Sequence, residues 1–182
     1  MTSCKKNLVL IGLMGAGKTS IGLKLAEHLN MEFIDADEEI VKAAGCSIPD
    51  IFKIYGEPAF RDAEVRVIRR LLNNGPRVLA TGGGAYMSPQ IQDAIAQHGY
   101  SIWLKASLNV LVERTTKRSE RPLLEAGEPR AILRDLMHTR YPVYAQADLT
   151  VETDGESLNE TLHAILNILK RQTPIIGDAK DE

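Results

Sequence analysis

Leu8-Val9-Leu10-Ile11-Gly12-Leu13-Met14-Gly15-Ala16-Gly17-Lys18-Thr19 decides the fold. Its first four residues are a continuous apolar run, the pattern of a strand buried on both faces of a parallel sheet. The next eight match G-x-x-x-x-G-K-[ST], and Ile21, Leu25 and Leu29 then recur at helical spacing. Strand, glycine turn and amphipathic helix form the context in which this pattern holds nucleotide phosphate. The glycines let backbone N–H groups turn around phosphate oxygens with no Cβ in the way. The helix opening near Gly17 aims its positive end at the same anion. Lys18 supplies a cation for the β- and γ-phosphates, and the Thr19 hydroxyl can ligate Mg²⁺. The implied ligand is a nucleoside triphosphate.

Outward from this stretch the chain alternates short β-like runs with helical patterns. Glu32–Asp35, Arg77–Ala80, Tyr100–Leu104 and Leu149–Val151 are the further strand candidates. Between them lie helical faces: Phe60, Val67, Ile68, Leu71 and Leu72 after Pro58, and a helix from Ser88-Pro89 that Gly99 closes. Leu108–Arg114 follows Ser107, and Ala131–Arg140 is expected to stop before Pro142. A last helix starts with Ser157 and Glu160 in capping-box spacing. Five strands separated by helices predict an α/β fold, a doubly wound parallel sheet with helices on both faces. Residues 1–172 read as a single domain, and residues 173–182 lack periodicity and are expected to be disordered.

The 182 residues fit one domain. A net charge of −2 and a pI near 6.1 remove the cationic field of a general nucleic-acid binder. Cys4 and Cys46 have no C-x-x-C spacing, which argues against a disulfide framework or structural zinc and for a reducing cytoplasm. No apolar run approaches the ~18 residues of a membrane span, and the run at Leu8 is too short for a signal peptide. His28, His98, His138 and His163 share no ligand spacing and read as helix-surface residues. Trp103, on a strand, reads as core.

A guanine-specific switch needs D-x-x-G and N-K-x-D, and neither occurs here. The length excludes a long transporter or helicase-type ATPase. Small-molecule kinases remain, with one acceptor pocket and one moving lid. Several spaced motifs then narrow the class. These are Phe33-Ile34-Asp35-Ala36-Asp37, Ser47-Ile48-Pro49-Asp50-Ile51-Phe52 with Gly56-Glu57, and Phe60-Arg61-Asp62-Ala63-Glu64. Thr81-Gly82-Gly83-Gly84, Arg121-Pro122-Leu123-Leu124 and Arg140-Tyr141-Pro142-Val143-Tyr144 follow. With the phosphate loop, and in this order, they resemble the shikimate kinase family over about residues 8–153. The resemblance implies a P-loop NTPase-type fold and transfer of the ATP γ-phosphoryl group to the 3-hydroxyl of shikimate, on the route to chorismate and the aromatic amino acids. Magnesium is the implied cofactor, and a monomer the implied state.

Asp35 and Asp37 stand at a strand end, where open α/β sheets place ligands; two apart on an extended segment, they would share a face. The resemblance gives Asp35 to the magnesium side and Asp37 to the substrate hydroxyls, as possible general base. A helix N-cap pair is the bland alternative. Shikimate carries a carboxylate, which guanidinium forks match bidentately, and Arg61 and Arg140 are the family's matching positions. Glu64, one helical turn from Arg61, could hold that side chain in position; on residue chemistry alone the two are an ordinary surface pair, and the family motif reverses that reading. Gly82, Gly83 and Gly84 allow close backbone approach to a ligand; in the family this loop contacts shikimate, and Gly83 is the expected direct donor. Gly12, Gly15, Ala16, Gly17, Lys18, Thr19 and Ser20 make up the implied ATP cradle, with Arg114 stacking on adenine and a weaker contact near Val151–Asp154. Residues 115–126 are the expected mobile lid, and Arg121 its γ-phosphate cation. The acceptor segment is about 36–64. A gluconate-type or other small-acid kinase and an inert nucleotide-binding module are the rival readings.

Overall fold

The computed structural model describes residues 3, 4, 6–117, 128–155, 157–171, 176 and 177. Five parallel strands form the main sheet: β2 (Asn7–Ile11), β3 (Glu32–Asp35), β4 (Arg77–Ala80), β5 (Gly99–Lys105) and β6 (Leu149–Glu152). Their spatial order is β3-β4-β2-β5-β6. The strand before the phosphate loop is therefore central, and all five of its residues are buried. Burial on both sides is the physical reason the run reads as unbroken apolar sequence. The helices are α1 (Lys18–Leu29), α2 (Ala36–Ala44), α3 (Ile48–Asn73), α4 (Pro89–His98), α5 (Leu108–Thr116), α6 (Pro129–Tyr144) and α7 (Leu158–Arg171). α1 packs against α7, while α3 packs against α4 and α2, and one continuous apolar core joins them to the sheet. The doubly wound parallel α/β fold expected from the sequence is the one observed.

The strand order puts the carboxyl ends of β2, β3 and β4 side by side. The phosphate loop leaves β2, α2 leaves β3, and Thr81 with the glycine triplet leaves β4. Thr81 ties β4 to β2 twice, donating from its amide (3.2 Å) and from its Oγ1 (3.0 Å) to the Leu10 carbonyl. This reversal of strand order is where ligands sit in open α/β sheets.

Some boundaries differ from expectation. α6 continues through Pro142 to Tyr144, because only its last turn loses a hydrogen bond there and the fully buried Tyr144 anchors that turn. Gly99 is extended and opens β5, pairing with Asn7. α3 carries a break at Gly56 (φ 81°), so Pro58 falls in the first turn of its second half. Ile176–Gly177, in the tail expected to be disordered, forms β7 and pairs antiparallel with β1 (Ser3–Cys4). Main-chain pairing of two residues needs no side-chain periodicity, so pattern reading had nothing to detect. The capping box of α7 is formed: Glu160 accepts from the Ser157 amide at 2.6 Å, and Ser157 Oγ accepts from the Glu160 amide at 3.3 Å.

Asn7 secures the opposite end of the sheet. Its Nδ2 donates to the carbonyls of Leu72 (2.9 Å) and His98 (2.8 Å), and its Oδ1 accepts from the Arg77 amide (3.2 Å). One buried amide thus satisfies the ends of α3 and α4 and the start of β4. Asn7→Ala is expected to destabilise the protein by about 2–4 kcal/mol, since three backbone groups lose their partner. A denaturant midpoint unchanged in that variant would refute this role.

Candidate active site

The phosphate loop curls between β2 and α1 through three glycines of positive φ, Gly12 (146°), Gly15 (83°) and Gly17 (94°). At Gly12 the constraint is also spatial: a Cβ there would lie 2.8 Å from the Leu104 carbonyl oxygen. Gly17 caps α1 with no side-chain acceptor, so the first-turn amides are free of a capping side chain. Ala16 is buried under the loop, its amide donating to the Leu13 carbonyl at 3.2 Å. Lys18 folds back over the loop, and its Nζ donates to the carbonyls of Gly12 (2.8 Å) and Leu13 (3.0 Å). Thr19 and Ser20 follow in the first turn of α1.

Asp35 ends β3 and caps α2. Its Oδ1 accepts from the Asp37 amide at 2.9 Å, while its Oδ2 accepts from the Thr19 hydroxyl at 3.3 Å. One oxygen therefore forms the N-cap, while the other faces the Thr19 hydroxyl at the start of α1. Asp37 lies inside α2 and not on an extended segment; the chain turns at Ala36 because Asp35 caps it there. Burial raises the Asp37 pKa above its ordinary 3.8, and the Asp35 carboxylate adds to the rise, against the opposing pull of Lys18 and Arg61. The oxygens of Thr19 and Asp35 are hard donors of the kind Mg²⁺ takes, alongside phosphate and water.

The glycine triplet is the hub of the acceptor side. A Cβ built on Gly82 would lie 2.8 Å from Asp37 Oδ1 and 3.3 Å from Glu64 Oε1. One on Gly83 would lie 3.3 Å from Arg140 Nη1 and 3.6 Å from the Gly12 carbonyl oxygen. On Gly84 it would stand 2.8 Å from both Nη atoms of Arg61. The structure thus gathers Asp37, Arg61, Glu64, Arg140 and the triplet around one cleft that borders the phosphate loop. Arg61 is held by Glu64 Oε2 (2.8 Å) and by Glu57 Oε1 (3.2 Å from Nη2). Glu64 is only 1 % exposed, so this pair is no ordinary surface bridge. Burial raises the Glu64 pKa, the neighbouring Arg61 pulling it back down.

Arg114 lies across the phosphate loop, its Nη2 donating to the Thr153 carbonyl (2.9 Å) and its Nη1 reaching the Gly15 carbonyl (3.5 Å). Residues 153–154 are brought to the same edge, where Asp154 Oδ1 accepts from the Ser107 amide at 2.7 Å. Lys117 pairs with Glu113 at 2.7 Å on the surface. The four histidines are exposed and Trp103 is core. Arg121 and most of the expected lid, residues 118–126, lie outside the described residues.

Comparison with known proteins gives this geometry a family. A family model described as shikimate kinase matches residues 14–170. A shikimate kinase of Mesorhizobium japonicum is 50 % identical over 166 residues, 91 % of this chain and 82 % of that protein. The chain belongs to the shikimate kinase family. The structure of the Acinetobacter baumannii shikimate kinase in complex with shikimate superposes with a TM-score of 0.87 at 37 % identity, covering 92 % of this chain and 94 % of the other. The Aquifex aeolicus shikimate kinase gives 0.76 at 31 % identity, covering 91 % and 97 %.

Within this shikimate kinase fold two groups gain contacts that the sequence did not show. Glu64 Oε1 is buried with no hydrogen-bond donor among the described residues and points toward Gly82. Tyr144, fully buried, donates its hydroxyl to the Gly83 carbonyl. Its place four residues after Arg140 was the available signal, since i and i+4 share a helix face.

Proposed function

We propose that this protein transfers the γ-phosphoryl group of ATP to the 3-hydroxyl of shikimate. The observation that carries this is the convergence of Arg61, Arg140 and the glycine triplet on a cleft that also holds Asp37 and adjoins the Lys18 loop. Two guanidinium groups suit a carboxylate acceptor. Glu64 Oε1 and Asp37, both facing Gly82, suit its hydroxyls. Such a site positions two substrates beside each other, which is most of what phosphoryl transfer requires.

Gly12, Gly15, Ala16, Gly17, Lys18, Thr19 and Ser20 cradle the triphosphate, and Arg114 lies on the adenine side. Lys18 releases its two loop carbonyls to meet the β- and γ-phosphates. Asp37 accepts the proton of the attacking hydroxyl, and its raised pKa moves it toward the working range of a general base. Thr19 and Asp35 would hold Mg²⁺, which when bound neutralises charge on the phosphates. Arg121, carried by the family resemblance, is the further cation for the γ-phosphate. The family resemblance carries the expectation of a monomer, and the wide spacing of Cys4 and Cys46 that of a reducing cytoplasm.

An ATP-turnover assay with and without shikimate tests the proposal, with gluconate as the competing acceptor. ADP release is expected to depend on shikimate; release driven by gluconate, or independent of either acid, would overturn it. Arg61→Ala and Arg140→Ala are each expected to raise the shikimate KM roughly tenfold or more, the scale of a lost charged hydrogen bond, and to leave the ATP KM within about twofold. A fall in ATP affinity alone would remove the carboxylate assignment.

A further inference from the structure

We infer that Tyr144 is a positioning residue of the acceptor site, whose hydroxyl fixes the orientation of the Gly83–Gly84 peptide and thereby the donors that the glycine turn presents. This rests on the acceptor reading above and extends it to a residue that does not itself face the cleft.

The carbonyls of the triplet give the first line of argument. Gly82 O accepts from the Ala85 amide at 3.1 Å, Gly84 O accepts from the Met87 amide at 3.1 Å, and Gly83 O accepts from the Tyr144 hydroxyl. All three carbonyls are thus turned back into the protein. The amides of Gly82, Gly83 and Gly84 donate to no acceptor among the described residues. Two of the three carbonyls are held by the short helical turn that follows (Ala85–Met87). Only the middle one depends on a side chain.

Peptide geometry turns that anchor into a direction. In a planar trans peptide the C=O and the following N–H point opposite ways. With Gly83 O held on Tyr144, the Gly84 N–H is directed away from Tyr144. Gly84 is also the glycine whose absent Cβ leaves room for the Arg61 guanidinium, while Gly83 leaves room for Arg140. Glycine backbones tolerate many orientations, and among the described residues the Tyr144 hydroxyl is the side-chain hydrogen bond that holds this plane.

The ring that carries the hydroxyl is itself immobilised. Tyr144 is 0 % exposed and packs among Trp103, Tyr86 and Tyr141, with ring centroids 6.0, 6.4 and 6.2 Å away. Tyr141 is fixed in turn by donating to the Ala106 carbonyl at 2.5 Å. Burial raises the Tyr144 pKa, so the hydroxyl stays protonated and donates throughout the physiological range. Arg140 sits one helical turn before it on α6, and its positive charge opposes part of that rise. One turn of helix therefore carries a guanidinium for the acceptor and the anchor of the amides beside it.

The test is Y144F, which removes one oxygen and keeps the ring in its aromatic cage. The shikimate KM is expected to rise about tenfold, the effect of leaving one buried carbonyl unpaired and its peptide free, with the ATP KM within twofold of the unsubstituted protein. A role in packing alone would lower the melting temperature and leave the shikimate KM within twofold, and that result overturns the inference. If the unsubstituted protein itself fails to phosphorylate shikimate, the acceptor reading falls separately. The Tyr144 assignment is then decided in the ligand-free protein by the backbone amide shifts of Gly83 and Gly84. Shifts displaced in Y144F uphold it, and unchanged shifts remove it.

Discussion

Lys18→Ala is expected to lower kcat by at least about 10³-fold, the upper range for removing one preorganised donor from a developing charge, and to leave the fold intact. The two effects separate because the ammonium does two different things. In the ligand-free loop it bonds the carbonyls of Gly12 and Leu13 at 2.8 and 3.0 Å. Losing those bonds costs on the order of 1 kcal/mol net, or roughly 2–4 °C in melting temperature for a chain of this size. On the proposed reaction the same ammonium faces charge spreading over the transferred oxygens in the transition state, and the loop offers no second side-chain cation. Lys18→Arg is not expected to restore activity. The loop cradles a compact point charge, and a planar fork cannot occupy the same two-carbonyl seat. A coupled assay for ADP with a thermal melt on each variant provides the check; turnover within tenfold of the unsubstituted protein would end the phosphate-loop assignment.

Local pattern made most of the fold legible. β2 is buried on both sides and so reads as unbroken apolar sequence, and the glycine spacing at 12, 15 and 17 survives because the loop needs positive φ there. The position of Asp35 was legible for the same reason, since caps and strand ends are local events. What local pattern does not carry is burial and contact between distant residues. Glu64 and Arg61 are separated by one helical turn, and no local pattern distinguishes an exposed pair from one buried beneath Gly82. The bond from Tyr144 to Gly83 spans 61 residues, and that from Asn7 to Leu72 spans 65. The strand β7 is held by main-chain pairing and leaves no trace in side-chain periodicity. For the acceptor cleft, family resemblance supplied Arg61 and Arg140, but the reason they converge is the triplet of absent side chains between them.

Asp37→Asn is expected to lower kcat by about 10²–10⁴-fold, the range for losing a positioned general base, while raising thermal stability at neutral pH. The stability sign follows from the proton balance. In the unfolded chain Asp37 titrates near its ordinary 3.8; in the fold, burial and then the Asp35 carboxylate raise its pKa, although Lys18 and Arg61 oppose the rise. Between those two pKa values the folded protein binds more protons than the unfolded one. Stability therefore falls as pH climbs through that window. Asparagine carries no charge and escapes this fall, so the variant gains on the unsubstituted protein as pH rises from below 3.8, and keeps the gain at pH 7. Glu64, whose pKa burial also raises, adds a fall of the same sign in both proteins. The acid limb of the kcat profile should accordingly be shifted upward from the ordinary carboxylate values and belong to the Asp37–Glu64 pair jointly. Melting curves across pH and a pH–rate profile test both halves. A variant that melts lower at pH 7 removes the electrostatic cost, and one that keeps kcat removes the base. Together the expected results describe a carboxylate held against its own stability where the acceptor hydroxyl must give up its proton.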